Sequence, residues 1–389
     1  MRTSHDPRTE AYRRRRRLVR HLASTGALTD SGWHAAFSEV PRHRFLHRFF
    51  RPLPAGQWAA VADTDADWLG RVYADRVLVT QLDGDPSRWE TARRDGAVSG
   101  VPTSSSSQPT IMAIMLEALR ADEHDRVLEI GTGTGYNAAL LCRRQGADRV
   151  TTVDVDPDLV RSARDNLESM GYRPTCEPAD GARGHPGNAP YDRVLATCAV
   201  SRIPPAWLAQ TKPGGLVLTT LNRPLGAGMV RLVAAEDGRG RGRVLAEDGR
   251  FMPLRAHRAP SAEDLIRRAG TGLTHTRTPL RAIAEHLAPT NPFEFFAGLA
   301  LPEVAALGGA DRIFWLVHPD GSWARRHAEG SRQWVTQGGP RRLWDLAEAA
   351  HVRWIELGRP RRDRFGVTVD GDHQEIWLDT PESPHRWSL

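Results

Sequence analysis

The residues of this chain best placed to do chemistry are Gly131, Gly133 and Gly135, in the run Val127-Leu-Glu-Ile-Gly-Thr-Gly-Thr-Gly135, together with Asp154. Glycines at alternate positions let a backbone turn sharply out of a buried strand. They also remove the Cβ atoms that would hold a ligand away. Asp154 closes a second apolar run, Arg149-Val-Thr-Thr-Val-Asp154, nineteen residues after Gly135. An acid there can accept hydrogen bonds from a ribose diol. Strand, glycine turn, helix and acid in that order predict a site for a nucleoside-bearing ligand.

Glu129, two residues before Gly131, discriminates between such ligands. A dinucleotide needs a G-x-G-x-x-G turn whose helix N-terminus meets a pyrophosphate, and a carboxylate is badly placed for that. It suits a ligand with a cationic amino-acid end, met directly or through water. The E-x-G-x-G-x-G form resembles motif I of the class I methyltransferases. That resemblance implies S-adenosylmethionine as cofactor and S-adenosylhomocysteine as product. The implied contacts are Glu129, Gly131, Thr132, Gly133, Gly135, Asp154 and Val155.

The elements that must hold these residues are legible in part. From 125 to 256 strands and helices alternate, as in a parallel sheet covered on both faces. The expected strands are Arg126–Ile130, Val150–Asp154, Tyr172–Pro178, Tyr191–Thr197 and Gly215–Leu221, the last preceded by a turn at Lys212-Pro-Gly-Gly215. Runs at 229–235 and 242–254 read as a closing antiparallel hairpin. Before this core, residues 8–50 read as helical and 51–103 as mixed, with one strand at 75–80. A small-residue loop, Gly100-Val-Pro-Thr-Ser-Ser-Ser-Ser107, leads into a helix opened by Gln108-Pro109, with Ser107 as its N-cap. After 258 the character changes, and the last seventy-five residues hold seven of the twelve tryptophans. Most of these read as core, although tryptophans beside arginines also suit peptide binding. A hairpin is expected around Asp370-Gly371.

The expected fold is therefore α/β, a Rossmann-like class I S-adenosylmethionine-dependent methyltransferase domain with an N-terminal helical and mixed extension and a C-terminal α+β module. The expected division is 1–103 contributing to the acceptor site, 104–257 as the cofactor-binding core, and 258–389 as an accessory region for peptide recognition.

Composition bounds the alternatives. No apolar run of the 389 residues approaches membrane-spanning length, and the basic N-terminus has no hydrophobic signal core. Cys142, Cys176 and Cys198 lack metal-ligand spacing and read as reduced thiols of a cytoplasmic protein. The net charge of +6 is almost entirely arginine, with Lys212 the one lysine. Arg13 to Arg17 read as the solvated face of a helix, with a nucleic-acid arm as the alternative. A basic surface would also attract an acidic peptide.

Beyond motif I, residues 30–256 resemble the protein L-isoaspartate O-methyltransferases. Val40-Pro41-Arg42 with Phe45 is similar to that family's V-P-R-x-x-F, and Ser107-Gln108-Pro109 to its S-x-P element, which carries the active-site serine. Ala179-Asp180-Gly181 resembles its G-D-G, where the acid faces the adenine, so Asp180 and Gly181 join the implied cofactor set. Tyr191-Asp192, Lys212-Pro-Gly-Gly215 and Phe251-Met-Pro-Leu254 also match. The resemblance implies that Ser107 orients an acceptor carboxylate, with the hydroxyls of Ser105 and Ser106 beside it. Arg202 is a candidate partner for a carboxylate on the substrate.

The departures are as informative. The family usually carries Gly-x-Gly-Gln-Thr-Ile before its serine and a histidine soon after S-x-P. Here those places hold Pro102-Thr-Ser-Ser-Ser106 and Thr110. The whole chain, including Gln81-Leu-Asp-Gly84, is similar to variant methyltransferases found with ATP-grasp peptide maturases. That implies a ribosomally made precursor peptide, already crosslinked (a graspetide), as partner, and an aspartate methyl ester that closes to an aspartimide. Two alternatives stand beside it. One is isoaspartate repair; the other is a nucleic-acid methyltransferase or a non-catalytic peptide-binding protein. No N-P-P-Y-type base pocket follows the fourth strand, which reads Ala196-Thr-Cys-Ala-Val200.

Overall fold

The computed structural model describes residues 7–269, 274–280, 282–289, 291–308, 313–330 and 332–389. By contact density the chain divides into two compact units. The first holds Met1–Cys198, Pro204–Thr219 and Arg231–Gly240; the second holds Ala199–Ile203, Thr220–Val230 and Arg241–Leu389.

The first unit opens with helices α1 (Pro7–Ser24) and α2 (Ser31–Glu39). In α1, Arg13, Arg14, Arg16 and Arg17 are exposed while Leu18 and Leu22 are buried, so the arginine run is the wet face of an amphipathic helix. Next come β1 (Arg48–Pro52), β2 (Gln57–Ala62), α3 (Trp68–Val72), β3 (Leu78–Leu82), α4 (Ser87–Asp95), β4 (Val98–Ser99) and β5 (Pro102–Ser106). The five strands form one sheet in the order β4-β2-β1-β3-β5. Sequence reasoning expected one strand here, at 75–80, and a loop at 100–107. The loop is instead the edge strand β5, antiparallel to β3 with Leu78 opposite Ser106 and Val79 opposite Ser105. Serine has little strand preference of its own, so pairing with the apolar β3 decides the conformation.

Helix α5 (Pro109–Leu119) begins with proline in its first turn, as expected, but its N-cap is Gln108 rather than Ser107. The capping acceptor comes from elsewhere in the unit: Asp75 takes the Thr110 amide at 2.9 Å. A distant carboxylate has replaced the local hydroxyl, which frees Ser107 from a capping role.

Then follow β6 (Val127–Ile130), α6 (Tyr136–Gln145), β7 (Val150–Asp154), α7 (Pro157–Ser169), β8 (Thr175–Pro178), β9 (Tyr191–Val200), α8 (Pro205–Ala209), β10 (Thr211–Asn222), β11 (Ala227–Ala234) and β12 (Gly240–Val244). In the first unit the strand order is β8-β7-β6-β9-β10, with β6 parallel to both β7 and β9, and β7 parallel to β8. This is the Rossmann-like sheet expected of a class I methyltransferase. Every residue of β6 is buried, as a parallel strand covered on both faces requires. Lys212-Pro-Gly-Gly215 lies inside β10 and not in a turn before it. Lys212 is held there by Asp192 at 2.7 Å, and the positive φ of Gly214 absorbs the irregularity.

In the second unit, β13 (Thr274–Arg277), β14 (Ala305–Gly308), β15 (Phe314–Val317), β16 (Trp323–Glu329) and β17 (Arg332–Gly338) form a sheet ordered β13-β17-β16-β15-β14. Helices α9 (Ala262–Arg268), α10 (Pro292–Ala300) and α11 (Leu343–Glu356) accompany it. Strands β18 (Phe365–Asp370) and β19 (His373–Leu378) make the expected hairpin, closed over Gly371 and Asp372. With β20 (Arg386–Ser388) they run in the order β12-β18-β19-β20 within the second unit. Trp344, Trp354 and Trp377 are buried, with their indole N–H groups donated to Glu348, Pro360 and Thr368. Trp315, Trp323, Trp334 and Trp387 are half-buried. No helix among the described residues is long and apolar enough to cross a membrane.

Candidate functional site

Strand β6 ends at Ile130 and the chain turns over the end of β7. The Gly131 and Thr132 amides donate to the Val153 carbonyl at 2.8 and 3.2 Å. Gly131, Gly133 and Gly135 have φ of 102°, 51° and 84°, which only glycine adopts without strain. Space demands glycine as well. A Cβ on Gly131 would lie 2.7 Å from the Thr197 hydroxyl, and one on Gly135 would lie 3.2 Å from Ala163. The Gly133 amide donates to Asp154 Oδ2 at 3.0 Å, and the Asp156 amide donates to Asp154 Oδ1 at 3.2 Å. Asp154 therefore ties the glycine turn to the start of α7.

Glu129 sits beneath this turn with no exposed surface. Asn137 donates to one carboxylate oxygen at 2.7 Å and Thr152 to the other at 2.6 Å. The Thr152 hydroxyl is also 2.7 Å from that of Thr132. Since Thr152 spends its proton on Glu129, Thr132 is the donor in that pair. Burial pushes the Glu129 pKa up to about 7, against the hydrogen bonds from Thr152 and Asn137, with the neighbouring Asp154 adding to the rise. Glu129 is also tied to the turn itself. Its carboxylate acts on the turn through Thr152 and Thr132.

The remaining cofactor candidates gather at the same strand ends. The Ala179 amide donates to the Asp154 carbonyl at 2.9 Å, which sets Asp180 just past β8. Asp180 is exposed and caps a short turn by accepting from the Ala182 amide at 3.0 Å. Gly181 is buried, its carbonyl accepting from the Trp207 indole at 2.7 Å. Val155, next after Asp154, is a large apolar side chain left 43% exposed, an apolar surface beside two acids.

Strand β5 runs past the glycine turn. The Ser105 carbonyl is 3.6 Å, and the Ser104 hydroxyl 3.8 Å, from the point where a Cβ on Gly133 would sit. Alternation sorts the serines. Ser104 and Ser106 are buried, the first accepting from Thr80 at 3.0 Å and the second from Arg42 at 3.2 Å. Ser105 and Ser107 are half-buried, and their hydroxyls make no hydrogen bond among the described residues. The structure therefore separates Ser106 from the two serines it was grouped with, because its hydroxyl serves Arg42. Arg202 belongs to the second unit, where it donates to the Asp372 carbonyl.

Sequence reasoning missed several residues that hold this arrangement. Thr152, Asn137 and Thr197 carry no motif of their own, and Asp75 gave no signal. Arg42 was noticed only as part of a pattern. It is fully buried and donates to the carbonyls of Val72, Ala74, Arg76, Ser106 and Ser107 at 2.8–3.4 Å. Burial brings its pKa down to about 10. Among the described residues no cluster of histidine, cysteine and acid side chains is arranged to hold a metal ion.

A glycine-rich turn over a parallel sheet, an acid at the end of the second strand and an apolar residue after it fit a nucleoside with an amino-acid tail. Fold and site together define a class I S-adenosylmethionine-dependent methyltransferase. The profile of the protein-L-isoaspartate(D-aspartate) O-methyltransferase family matches residues 90–258. The protein-L-isoaspartate O-methyltransferase of Xanthobacter autotrophicus is 39% identical over 188 residues, which is 48% of this chain and 84% of that protein. That of Azorhizobium caulinodans is 36% identical over 171 residues, 44% of this chain and 77% of that protein. A solved protein-L-isoaspartate O-methyltransferase superposes with a TM-score of 0.53 at 22% identity, covering 94% of this chain and all of its own. The chain belongs to the protein-L-isoaspartate(D-aspartate) O-methyltransferase family, and its chemistry is S-adenosylmethionine-dependent carboxyl O-methylation. The structural likeness also extends well past the residues that the family profile matches.

Proposed function

We propose that this chain methylates the free carboxylate of an isoaspartyl residue in a protein or peptide. The observation that carries the reading is the 3.6 Å approach of the Ser105 carbonyl to the Gly133 position. It brings the serine segment and the glycine turn into one site. When bound, S-adenosylmethionine supplies an electrophilic methyl group on a sulfonium. Gly131, Thr132, Gly133 and Gly135 give it room, Asp154 meets its ribose, and Val155, Asp180 and Gly181 receive its adenine. Glu129 stiffens the turn from beneath. The Ser107 hydroxyl donates to the acceptor carboxylate and holds one oxygen toward the methyl group, with Ser105 as a second donor. A carboxylate of ordinary pKa, about 4, is already ionised at neutral pH, so no general base is required. Alignment then supplies much of the rate. The relatives named above support isoaspartate as the substrate.

A second reading has its own support. Pro102–Ser106 is an edge strand in place of the glycine-rich family segment, and Thr110, where the family has histidine, is bound to Asp75 at 2.8 Å. An altered acceptor wall suits an altered acceptor, such as an aspartate in a peptide already crosslinked by an ATP-grasp ligase. Its methyl ester would lose methanol as the following backbone nitrogen attacks the ester carbonyl and closes an aspartimide. On this reading residues 1–103 shape the acceptor site and 258–389 recognise the peptide, with Arg202 as a contact for an acidic residue.

Mass spectrometry separates the two. The protein and S-adenosylmethionine are incubated with a linear isoaspartyl peptide, its aspartyl counterpart and a crosslinked precursor. Methyl gain on the isoaspartyl peptide alone is the expected result. Methyl gain followed by methanol loss on the crosslinked peptide alone would replace the first reading by the second.

A further inference from the structure

Two charged side chains converge on residues 106–110, where β5 gives way to α5, and both act through the end of α3 and the loop after it, residues 72–76. Arg42 bridges the two segments from inside. Its guanidinium donates to Val72, Ala74 and Arg76 on the latter, and to the Ser106 hydroxyl and the Ser106 and Ser107 carbonyls on the junction, the last at 2.8 Å. Asp75, on the loop itself, takes the Gln108 side-chain amide at 2.9 Å, the Thr110 amide at 2.9 Å and the Thr110 hydroxyl at 2.8 Å. One group fastens the residues up to Ser107 and the other those after it. Between them the Ser107 hydroxyl is left without a hydrogen bond among the described residues.

A junction that needed only to be buried would be served as well by apolar packing, since sequestering a guanidinium is costly. A fork of fixed geometry offers something packing does not, which is a set direction for each carbonyl it binds. The Arg42 guanidinium also faces the Tyr136 ring at 5.9 Å. Tyr136 is the first residue of α6, directly after the glycine turn, so the same cation touches both the acceptor segment and the start of the cofactor helix.

We infer that Arg42 and Asp75 are positioning residues that hold the Ser107 hydroxyl in the orientation methyl transfer requires. The inference rests on the role proposed for Ser107. Neither group contacts the acceptor; each acts through the backbone on either side of the serine.

The test is a double-mutant cycle read as single-turnover methyl transfer to an isoaspartyl peptide, with S-adenosylmethionine affinity measured separately by calorimetry. Arg42→Lys keeps the charge but loses the fork. Asp75→Asn keeps shape and one acceptor, and serves as the deciding variant if Arg42→Lys does not fold. Each is expected to slow transfer roughly tenfold, with cofactor affinity changed less than about twofold, as misplacement of a reacting group implies. In a Ser107→Ala background neither should slow transfer further, because the residue they position is gone. A full additional tenfold loss in that background would overturn the inference. So would a loss confined to cofactor affinity or thermal stability. Wild-type transfer by Ser107→Ala alone would instead sink the role of Ser107.

Discussion

The two walls of the first unit's site are built from different materials. The proposed cofactor wall is mostly backbone, fastened by neighbouring side chains: three glycines at positive φ, a buried carboxylate satisfied by Asn137 and Thr152, and Asp154 bound to main-chain amides. The acceptor wall is a serine-rich edge strand and a helix start, fixed by an arginine and an aspartate from other parts of the unit. A turn that must admit a ligand closely has to be empty, and local sequence can encode emptiness. A wall that must hold one hydroxyl in place needs leverage, and leverage comes from residues distant in the chain.

The contrast can be broken most forcefully at Gly131. Alanine there would meet the Thr197 hydroxyl at 2.7 Å on a backbone with φ of 102°, strain of about 1–3 kcal/mol that only a shifted turn relieves. Cofactor affinity measured by calorimetry should fall by roughly fivefold to a hundredfold, since each 1.4 kcal/mol is a factor of about ten. Unchanged affinity would mean that the turn does not shape the cofactor wall.

Glu129 offers a subtler test of the same wall. Its pKa is raised from 4.5 to about 7, so the folded state favours the protonated acid. The stability it contributes is complete below about pH 4.5 and is lost as pH rises through 7, each tenfold difference in proton affinity between folded and unfolded chain being worth about 1.4 kcal/mol. Glu129→Gln keeps the contacts, because Thr152 can turn to accept from the amide while donating to Thr132. The variant should melt at a temperature that varies less between pH 5 and 8 than that of the parent. Parallel melting curves across that range would show that Glu129 does not titrate there.

The smallest effect divides the serines of β5. Ser105→Ala removes a hydroxyl without a partner among the described residues and should slow methyl transfer by roughly threefold or less, with no change in melting temperature. Ser106→Ala removes an acceptor for buried Arg42, at about 1–3 kcal/mol, and should lower the melting temperature. The reverse pattern would mean that the two faces of β5 are misassigned.

The same contrast between local and distant determinants governs what the sequence made legible. The strands around motif I, the Rossmann-like sheet and the positive-φ glycines were legible because strand period, glycine spacing and the acid at Asp154 are local signals. The hairpin at Gly371 was legible for the same reason. Strand β5 was not, since a serine run has no apolar alternation and takes its conformation from β3. The capping of α5 by Asp75 spans 35 residues, and no pattern within the helix announces it. Arg42 stood out only within the V-P-R-x-x-F pattern, which gave no hint of its complete burial or of the carbonyls it binds. Ser107 emerged as a candidate through family likeness. The structure adds that its hydroxyl has no internal partner among the described residues.

The proposed chemistry turns on the Ser107 hydroxyl acting on the acceptor and not on the cofactor. The direct measurement is a pair of numbers for Ser107→Ala: the dissociation constant for S-adenosylmethionine and the single-turnover rate of methyl transfer to an isoaspartyl peptide. The expected affinity is within about twofold of the parent, and the expected rate is lower by roughly a hundredfold, the penalty when a positioned acceptor is released. A rate equal to the parent's, or a loss that appears only in cofactor affinity, would contradict that role.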